Sequence, residues 1–383
     1  MSDIVYLDNA ATTYPKPKNV SACLCSCCDK YGNPGRSSHF LSLNSAKAVF
    51  SCREIICSLF NYSHPENVIF TYNTTYALNM AIFGLCPCMG EIIISNLEHN
   101  SVLRPVHAMC EKSSGKLSYK VFDALGDDID TVTNFKNSLT SKTVLAVITA
   151  SSNVTGKILP IEQIGSICRQ KGIKLIIDAA QSAGIISLDL QKQYFSAVCF
   201  AGHKSLYGIM GSGFCIFSDT ENPHCLIFGG NGTASLKPTQ TSTVLPEKLE
   251  SGTLGVIPIV ALREGIKHIV CTGEKEIREK CCYLSQKLSQ NLINMEKVHV
   301  IGNCRNKTGT VLFNITGFDS EKVCSLLSQK GICTRGGFHC ASLAHKALGT
   351  VDDGGGVRAS FSHFNSEKDV TALTDELYKI AKS

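Results

Sequence analysis

Between about residues 68 and 217 the sequence repeats one unit: a short β-rich apolar run, a polar cluster, then a helical stretch. The runs are Val68-Ile-Phe-Thr71, Glu91-Ile-Ile-Ile94, Val144-Leu-Ala-Val-Ile-Thr149, Lys174-Leu-Ile-Ile177, Ala197-Val-Cys-Phe200 and Phe214-Cys-Ile-Phe217. Short, continuously apolar strands that alternate with helices indicate a mainly parallel sheet covered on both faces. The expected class is α/β. With 44% hydrophobic and 18% charged residues over 383, the chain can bury a large core and is long enough for two packed domains.

The rest of the chain has a different texture. Residues 219 to 256 are rich in Gly, Pro, Thr and Ser (Phe228-Gly-Gly-Asn-Gly-Thr233, Glu250-Ser-Gly-Thr-Leu-Gly255) and are expected to be loop. A helical pattern runs from Pro258 towards Met295, punctuated near Gly273, and short strands come next at Val298–Ile301 and Thr310–Phe313. A helix is expected at Ser320 to Lys330. Another closes the chain with Val370, Leu373, Leu377 and Ile380 on one face, opened by Asn365 or Ser366. This mixture suggests a smaller α+β domain.

Several function classes lose support. The net charge of +5 comes without a dense Lys/Arg block, so neither nucleic acid nor a membrane surface is indicated as partner. No apolar run approaches the roughly 18 residues of a membrane span. The acidic Met1-to-Asp8 segment lacks the form of a signal peptide, and a cytoplasmic protein is expected. Twenty cysteines invite a metal or redox reading, and Cys25 and Cys28 within Cys23-Leu-Cys-Ser-Cys-Cys28 have zinc-ligand spacing. No second such unit is present, either there or at Cys86-Pro-Cys88, so most cysteines are expected to act as small buried hydrophobes in a reducing compartment. Gly208-Ile-Met-Gly211-Ser-Gly213 precedes a strand, which a dinucleotide fingerprint does not, and Asp352-Asp-Gly-Gly-Gly356 is a turn pattern. No metal site is expected.

In open α/β sheets ligands bind beyond the carboxyl ends of the strands. Five strand ends here deliver Asn73-Thr74-Thr75, Glu98-His99-Asn100, Ser152-Asn153, Asp178-Ala-Ala-Gln181 and Gly202-His203-Lys204. Each group alone has a bland explanation; their convergence on one rim does not. A lysine just after Val-Cys-Phe should be desolvated and nucleophilic. A carboxylate directly after Leu-Ile-Ile needs a cationic partner. Hydroxyls at a helix N-terminus suit a phosphate. Together they suit pyridoxal phosphate, with the lysine on its aldehyde, the carboxylate at its pyridine nitrogen and the helix at its phosphate.

Further segments sharpen this: Tyr6-Leu-Asp-Asn-Ala-Ala-Thr-Thr13, Gly32-Asn-Pro-Gly35 with His39, Asn153-Val-Thr-Gly156, Glu250-Ser-Gly-Thr253, Arg335-Gly-Gly-Phe-His-Cys340-Ala and Val357-Arg-Ala-Ser360. Taken in this order, and over nearly the whole chain, they resemble the cysteine desulfurases of the class-V aminotransferase superfamily. The resemblance implies a fold-type I large domain with a mainly parallel mixed sheet over residues 19–256. It also implies an N-terminal arm over 1–18 that packs with a smaller α+β domain, and that domain itself over 257–383, carrying Cys340 and Arg358.

The resemblance further implies that Lys204 holds pyridoxal phosphate covalently, Asp178 pairs with its ring nitrogen and His99 stacks on the ring. Gln181 and Asn153 would contact the ring hydroxyl or substrate, and Thr74, Thr75 and His203 the phosphate. A homodimer would bring Thr253 to the partner subunit's phosphate site. Arg358 would grip the substrate carboxylate, with Asn33 also at the substrate. One departure stands out: Ala201 occupies a position, two before His203, that is commonly Ser or Thr. The expected reaction converts L-cysteine to alanine, leaving sulfur as a persulfide on Cys340 for an unidentified acceptor protein. Cys340, next to His339 and after the Arg335 turn, stands in the cationic context that suits a nucleophilic thiol. The short loop resembles the group whose cysteine loop is compact and ordered. The alternatives are a selenocysteine lyase, a class-V aminotransferase, or a non-catalytic cysteine-rich metal or redox protein.

Overall fold

The computed structural model describes residues 4–27, 29–35, 37–230, 236, 238–239, 243–302, 304 and 306–382. Cys28 and the Asn231-Gly-Thr233 part of the glycine-rich segment lie outside the described residues.

Seven strands form the central sheet, in the spatial order Val68–Thr71, Gly213–Phe217, Ala197–Ala201, Lys174–Asp178, Thr143–Thr149, Gly90–Ser95, Leu117–Phe122. Gly213–Phe217 runs antiparallel to both its neighbours, and every other pairing is parallel. The expected mainly parallel, mixed sheet is therefore present. Its apolar runs are continuous because both faces are covered. In Thr143–Thr149, Ala146 and Ile148 join one core cluster while Leu145 and Val147 join the other. Lys174–Asp178 divides in the same way, Leu175 and Ile177 against Ile176. Burying one such side chain contributes about 1.5–3 kcal/mol, so a polar residue in either set would open that face.

The edge strand Leu117-Ser-Tyr-Lys-Val-Phe122 escaped the apolar pattern because only its two ends are buried. An exposed edge strand is polar where it meets water, and so carries no apolar run.

A three-stranded antiparallel sheet, in the order Val357–Ser360, Thr310–Ile315, Val298–Ile301, underlies the C-terminal part. The last helix, Glu367–Lys382, buries Val370, Leu373 and Leu377 on that core. Ala381 completes the buried seam, while Ile380 packs at its edge. Ser366 stands at the cap position, and its N–H donates to Asp369 Oδ2 at 2.9 Å. The N-terminal arm pairs Val5–Tyr6 in parallel with Ile332–Cys333.

The helix Val256–Thr272 packs on Lys18–Cys27 and Phe40–Leu59, and its Ile259, Val260, Leu262 and Ile266 enter the core of the large sheet. A Cβ at Gly265 would strike the Leu206 carbonyl, which shows how closely this helix lies against the turn after Lys204. The helix Glu274–Ile293 instead buries Leu284, Leu288 and Leu292 under the small sheet. A boundary at residue 257 assigns the first helix to the smaller unit; on packing we propose to draw it at Gly273.

Cys52, Cys168, Cys199, Cys215 and Cys281 are buried among apolar side chains, and burial pushes the Cys52, Cys168 and Cys281 thiols up to about 12. Such thiols pack and do not react. Among the described residues no three His, Cys, Asp or Glu side chains are grouped to hold a metal ion. No helix among them is long and apolar enough to cross a membrane.

Candidate active site

The carboxyl ends of the sheet strands open into a cavity of about 230 Å³. Thr74, Thr75, His99, Asn153, Asp178, Gln181, His203 and Lys204 all line it, as do Arg335, His339 and Arg358 from the C-terminal part. The convergence expected from the strand ends is thus met within one chain.

At its floor stand an amine and a carboxylate. Lys204 follows the strand Ala197–Ala201 and is half-buried in the cavity, and its desolvation lowers its pKa to about 8 against the opposing pull of Asp178. An amine so held is available as a nucleophile near neutral pH. Asp178 ends its strand and is buried. Burial pushes its carboxyl above the usual range, while the Ala180 N–H, at 2.9 Å, and Lys204 favour its charge. The arm fastens this segment. Thr12 Oγ1 and Lys16 Nζ donate to the His203 carbonyl at 3.0 and 2.8 Å, and Thr13 Oγ1 to the Lys204 carbonyl at 2.9 Å.

At one end the helix Thr74–Leu85 begins. Its cap is Asn73, whose side chain accepts from Tyr76 N, so Thr74 is not the cap that its position after the strand suggests. That leaves the Thr74 hydroxyl without a partner, and it is buried. His203 Nδ1 is likewise buried and unpartnered. Two buried, orphaned polar atoms in one cavity call for a ligand, because unsatisfied buried groups are costly. Beside a helix N-terminus they fit a phosphate. Thr74 also offers a hydroxyl at a rim where Ala201 has none. With Lys204 and Asp178 on the floor, the residues present fit a phosphorylated pyridine aldehyde.

His99 caps the helix Asn100–Lys112, its Nδ1 accepting from Ser101 N at 3.0 Å. Burial first, then the charge of Lys204, lowers its pKa to about 4. It is therefore neutral, and since Nδ1 accepts, Nε2 carries the proton.

Arg358 is almost wholly buried. Its Nη2 pairs with Asp8 Oδ1 at 2.7 Å, its Nη1 donates to the Asn153 carbonyl at 3.0 Å, and its Nε has no partner. A buried guanidinium with a spare N–H can accept a carboxylate. Asn153 Nδ2 donates to the His339 carbonyl at 2.8 Å, and Gln181 Nε2 to the Ala10 carbonyl at 2.9 Å.

Cys340 is exposed beside the cavity and outside its lining. Its carbonyl accepts from Asn100 N at 2.7 Å, next to His99, and Arg335 Nη2 lies 3.9 Å from its Sγ. Gly337, His339 and Cys340 all have left-handed φ, of 88°, 50° and 55°. For the two non-glycines this costs on the order of 1–3 kcal/mol each, strain that surrounding bonds must hold.

Thr253 and Asn33 are not brought to this cavity. Both are exposed and line a separate cavity of about 480 Å³. At its wall Glu250 ties the Thr253 segment to the sheet, accepting from Arg53 Nη2 and Phe70 N, each at 2.7 Å. Asp8, the partner of Arg358, was not singled out from the sequence: an acid two residues beyond a two-residue strand gives no pattern. Glu98 is buried at Ser95 and Thr149, its carboxyl pushed up to about 8 by burial.

The Aminotransferase class-V family model matches residues 5–373. A protein of Borreliella burgdorferi named probable cysteine desulfurase is 30% identical, the match covering 99% of this chain and 92% of the relative. One of Methanothermobacter thermautotrophicus with the same name is 29% identical over 100% of this chain and 96% of its own. The structure of an apo cysteine desulfurase from Thermococcus onnurineus superposes with a TM-score of 0.88 at 26% identity, covering 99% of this chain and 95% of that one.

Proposed function

The chain belongs to the class-V aminotransferase family and is a cysteine desulfurase, and from that premise we propose how its residues divide the work. The observation that carries this division is one cavity holding the desolvated Lys204 amine, a buried carboxylate and two orphaned polar atoms, one of them at a helix N-terminus, with a thiol exposed beside it.

Lys204 would hold pyridoxal phosphate, Asp178 its ring nitrogen, His99 its ring face, and Thr74, Thr75 and His203 its phosphate. When bound, the cofactor supplies an electron sink that lets bonds to the amino-acid carbon break. Arg358 binds the substrate carboxylate through its spare Nε–H while Asp8 keeps the guanidinium in place. The Lys204 amine, when not engaged in holding the cofactor, would take the Cα proton. His99 Nε2–H is set to donate a hydrogen bond into the cavity. Cys340 Sγ attacks the substrate sulfur. The S–S bond forms as the Cβ–S bond breaks with its electron pair left on the amino-acid skeleton; a proton added at Cβ and the Cα proton returned by Lys204 then give alanine, with the persulfide on Cys340. The exposed Sγ then passes sulfur to an acceptor protein.

A homodimer would bring Thr253 and Asn33 of one subunit to the other's cavity; their exposure on a separate cavity supports this. The free cysteines support a reducing compartment, the cytoplasm.

The test is to load the purified protein with pyridoxal phosphate and supply L-cysteine or L-selenocysteine. Alanine and a mass-mapped Cys340 persulfide from L-cysteine are expected; deselenation alone would exclude the desulfurase reading. Asp178→Asn should still bind the cofactor but lose about 10²-fold or more in Cα proton exchange, as the fixed charge at the ring nitrogen is gone. Deuterium uptake at Cα by NMR measures this, and near-normal exchange would take Asp178 out of the mechanism.

A further inference from the structure

Behind the cysteine loop a second group of titratable side chains lies in a row. His339 Nδ1 is 3.1 Å from His345 Nε2, and His345 Nδ1 is 2.7 Å from Thr350 Oγ1. At the other end His339 Nε2 is 3.1 Å from the Arg335 carbonyl. The two imidazoles stack at 5.3 Å, and all three side chains are buried. None of the roles proposed above uses His345 or Thr350.

The hydrogen bonds of this row have one direction. A carbonyl only accepts, so the proton of His339 is on Nε2. Burial holds both imidazoles neutral, well below their usual range. His339 Nδ1 is then an acceptor and His345 must donate from Nε2. That makes His345 Nδ1 an acceptor in turn, served by the Thr350 hydroxyl at 2.7 Å in preference to the His345 carbonyl, which lies 3.3 Å from the same oxygen. The order Thr350, His345, His339, Arg335 carbonyl satisfies every nitrogen in the row.

The row ends where the reactive loop is decided. The Arg335 carbonyl also accepts the Arg358 N–H at 2.8 Å, and the Arg335 guanidinium is the group beside Cys340 Sγ. The main chain of the left-handed pair is held from outside the loop, the His339 carbonyl by Asn153 Nδ2 and the Cys340 carbonyl by Asn100 N. Among the described residues, the hydrogen bonds of the His339 ring all lie within the row.

We infer that His345 and Thr350 are positioning residues for sulfur transfer: their one-way hydrogen-bond chain through His339 locks the left-handed turn that presents Cys340 Sγ beside Arg335. This rests on Cys340 being the nucleophile. Neither residue touches the cavity, so losing the chain slows the attack by Sγ while leaving the Arg358 subsite and the hold on the cofactor intact.

The experiment compares full-length, cofactor-loaded wild type with His345→Phe, His345→Gln and Thr350→Val. Alanine formation from L-cysteine, cofactor absorbance, thermal midpoint and the rate of iodoacetamide alkylation at Cys340 are measured. His345→Phe keeps a stacked ring but neither hydrogen bond; kcat should fall about tenfold with KM within about twofold. Its Cys340 alkylation rate should change, in the cofactor-free protein as well. His345→Gln can donate to His339 Nδ1 and accept from Thr350, and should recover most of both readouts. Thr350→Val should lose activity in the same direction but less.

A His345→Phe kcat within about twofold of wild type would overturn the inference. So would a Gln variant no better than Phe, or a kcat loss accompanied by lost cofactor and raised KM. If His345→Phe does not fold, Thr350→Val decides: wild-type kcat overturns the inference, and a several-fold loss at unchanged KM supports it. Wild type with no persulfide on Cys340 removes the nucleophile reading itself, a result distinct from silent His345 variants in an enzyme that makes it.

Discussion

Cys340→Ser is expected to bind the cofactor as wild type does and to form alanine from L-cysteine at least ~10³-fold more slowly. A serine hydroxyl needs a base to become a nucleophile, and none is free to serve. The adjacent His339 has both ring nitrogens committed, Nδ1 to His345 and Nε2 to the Arg335 carbonyl. The remaining neighbour, Arg335, is a cation that steadies a thiolate but takes no proton. Substrate binding should survive, since Arg358 and Lys204 lie in the cavity and Cys340 outside its lining. Deselenation can partly survive the same change, because a selenolate departs more readily without nucleophilic help. The measurements are alanine yield with both substrates and peptide mapping of any persulfide. Wild-type sulfur found on Cys25 or another residue, with Cys340 unmodified, would end the assignment.

Lys204→Ala should lose covalent cofactor attachment and turnover together, by ~10⁴-fold or more. Borohydride reduction of loaded wild type should fix the cofactor on the Lys204 peptide. The competing residue is Lys16, whose pKa burial also lowers to about 8. Its Nζ, however, is engaged by the His203 carbonyl at 2.8 Å and does not line the cavity, whereas Lys204 lines it together with Asp178. A label recovered on Lys16 would reverse the two roles.

The cavity floor was legible in the sequence because buried parallel strands announce themselves as apolar runs, and the residues just after each run must stand at the same rim. Thr74, His99, Asn153, Asp178 and Lys204 could be placed together on that ground alone. Arg358 and Cys340 came from the resemblance, since nothing local says that the strand Val357–Ser360 meets the large sheet's rim. The pairing of Asp8 with Arg358 spans 350 positions, and no periodicity reports a contact of that kind. Asn73 took the cap that Thr74 could equally have filled, a choice made by backbone geometry. His345 sits in a six-residue helix, Ser342–Ala347, too short to show a face.

The contacts that complete the cavity join segments that lie far apart along the polypeptide. Thr12, Thr13 and Lys16 hold the carbonyls of residues 203 and 204, and Asp8 holds Arg358. A nascent chain emerging from the ribosome can lay down the central sheet before residues 335–358 follow it, so the thiol and guanidinium proposed for sulfur transfer and substrate binding arrive after the residues proposed to hold the cofactor. On that division of work, a chain that has passed residue 204 but not residue 358 has no means of releasing sulfur from the free cysteine around it.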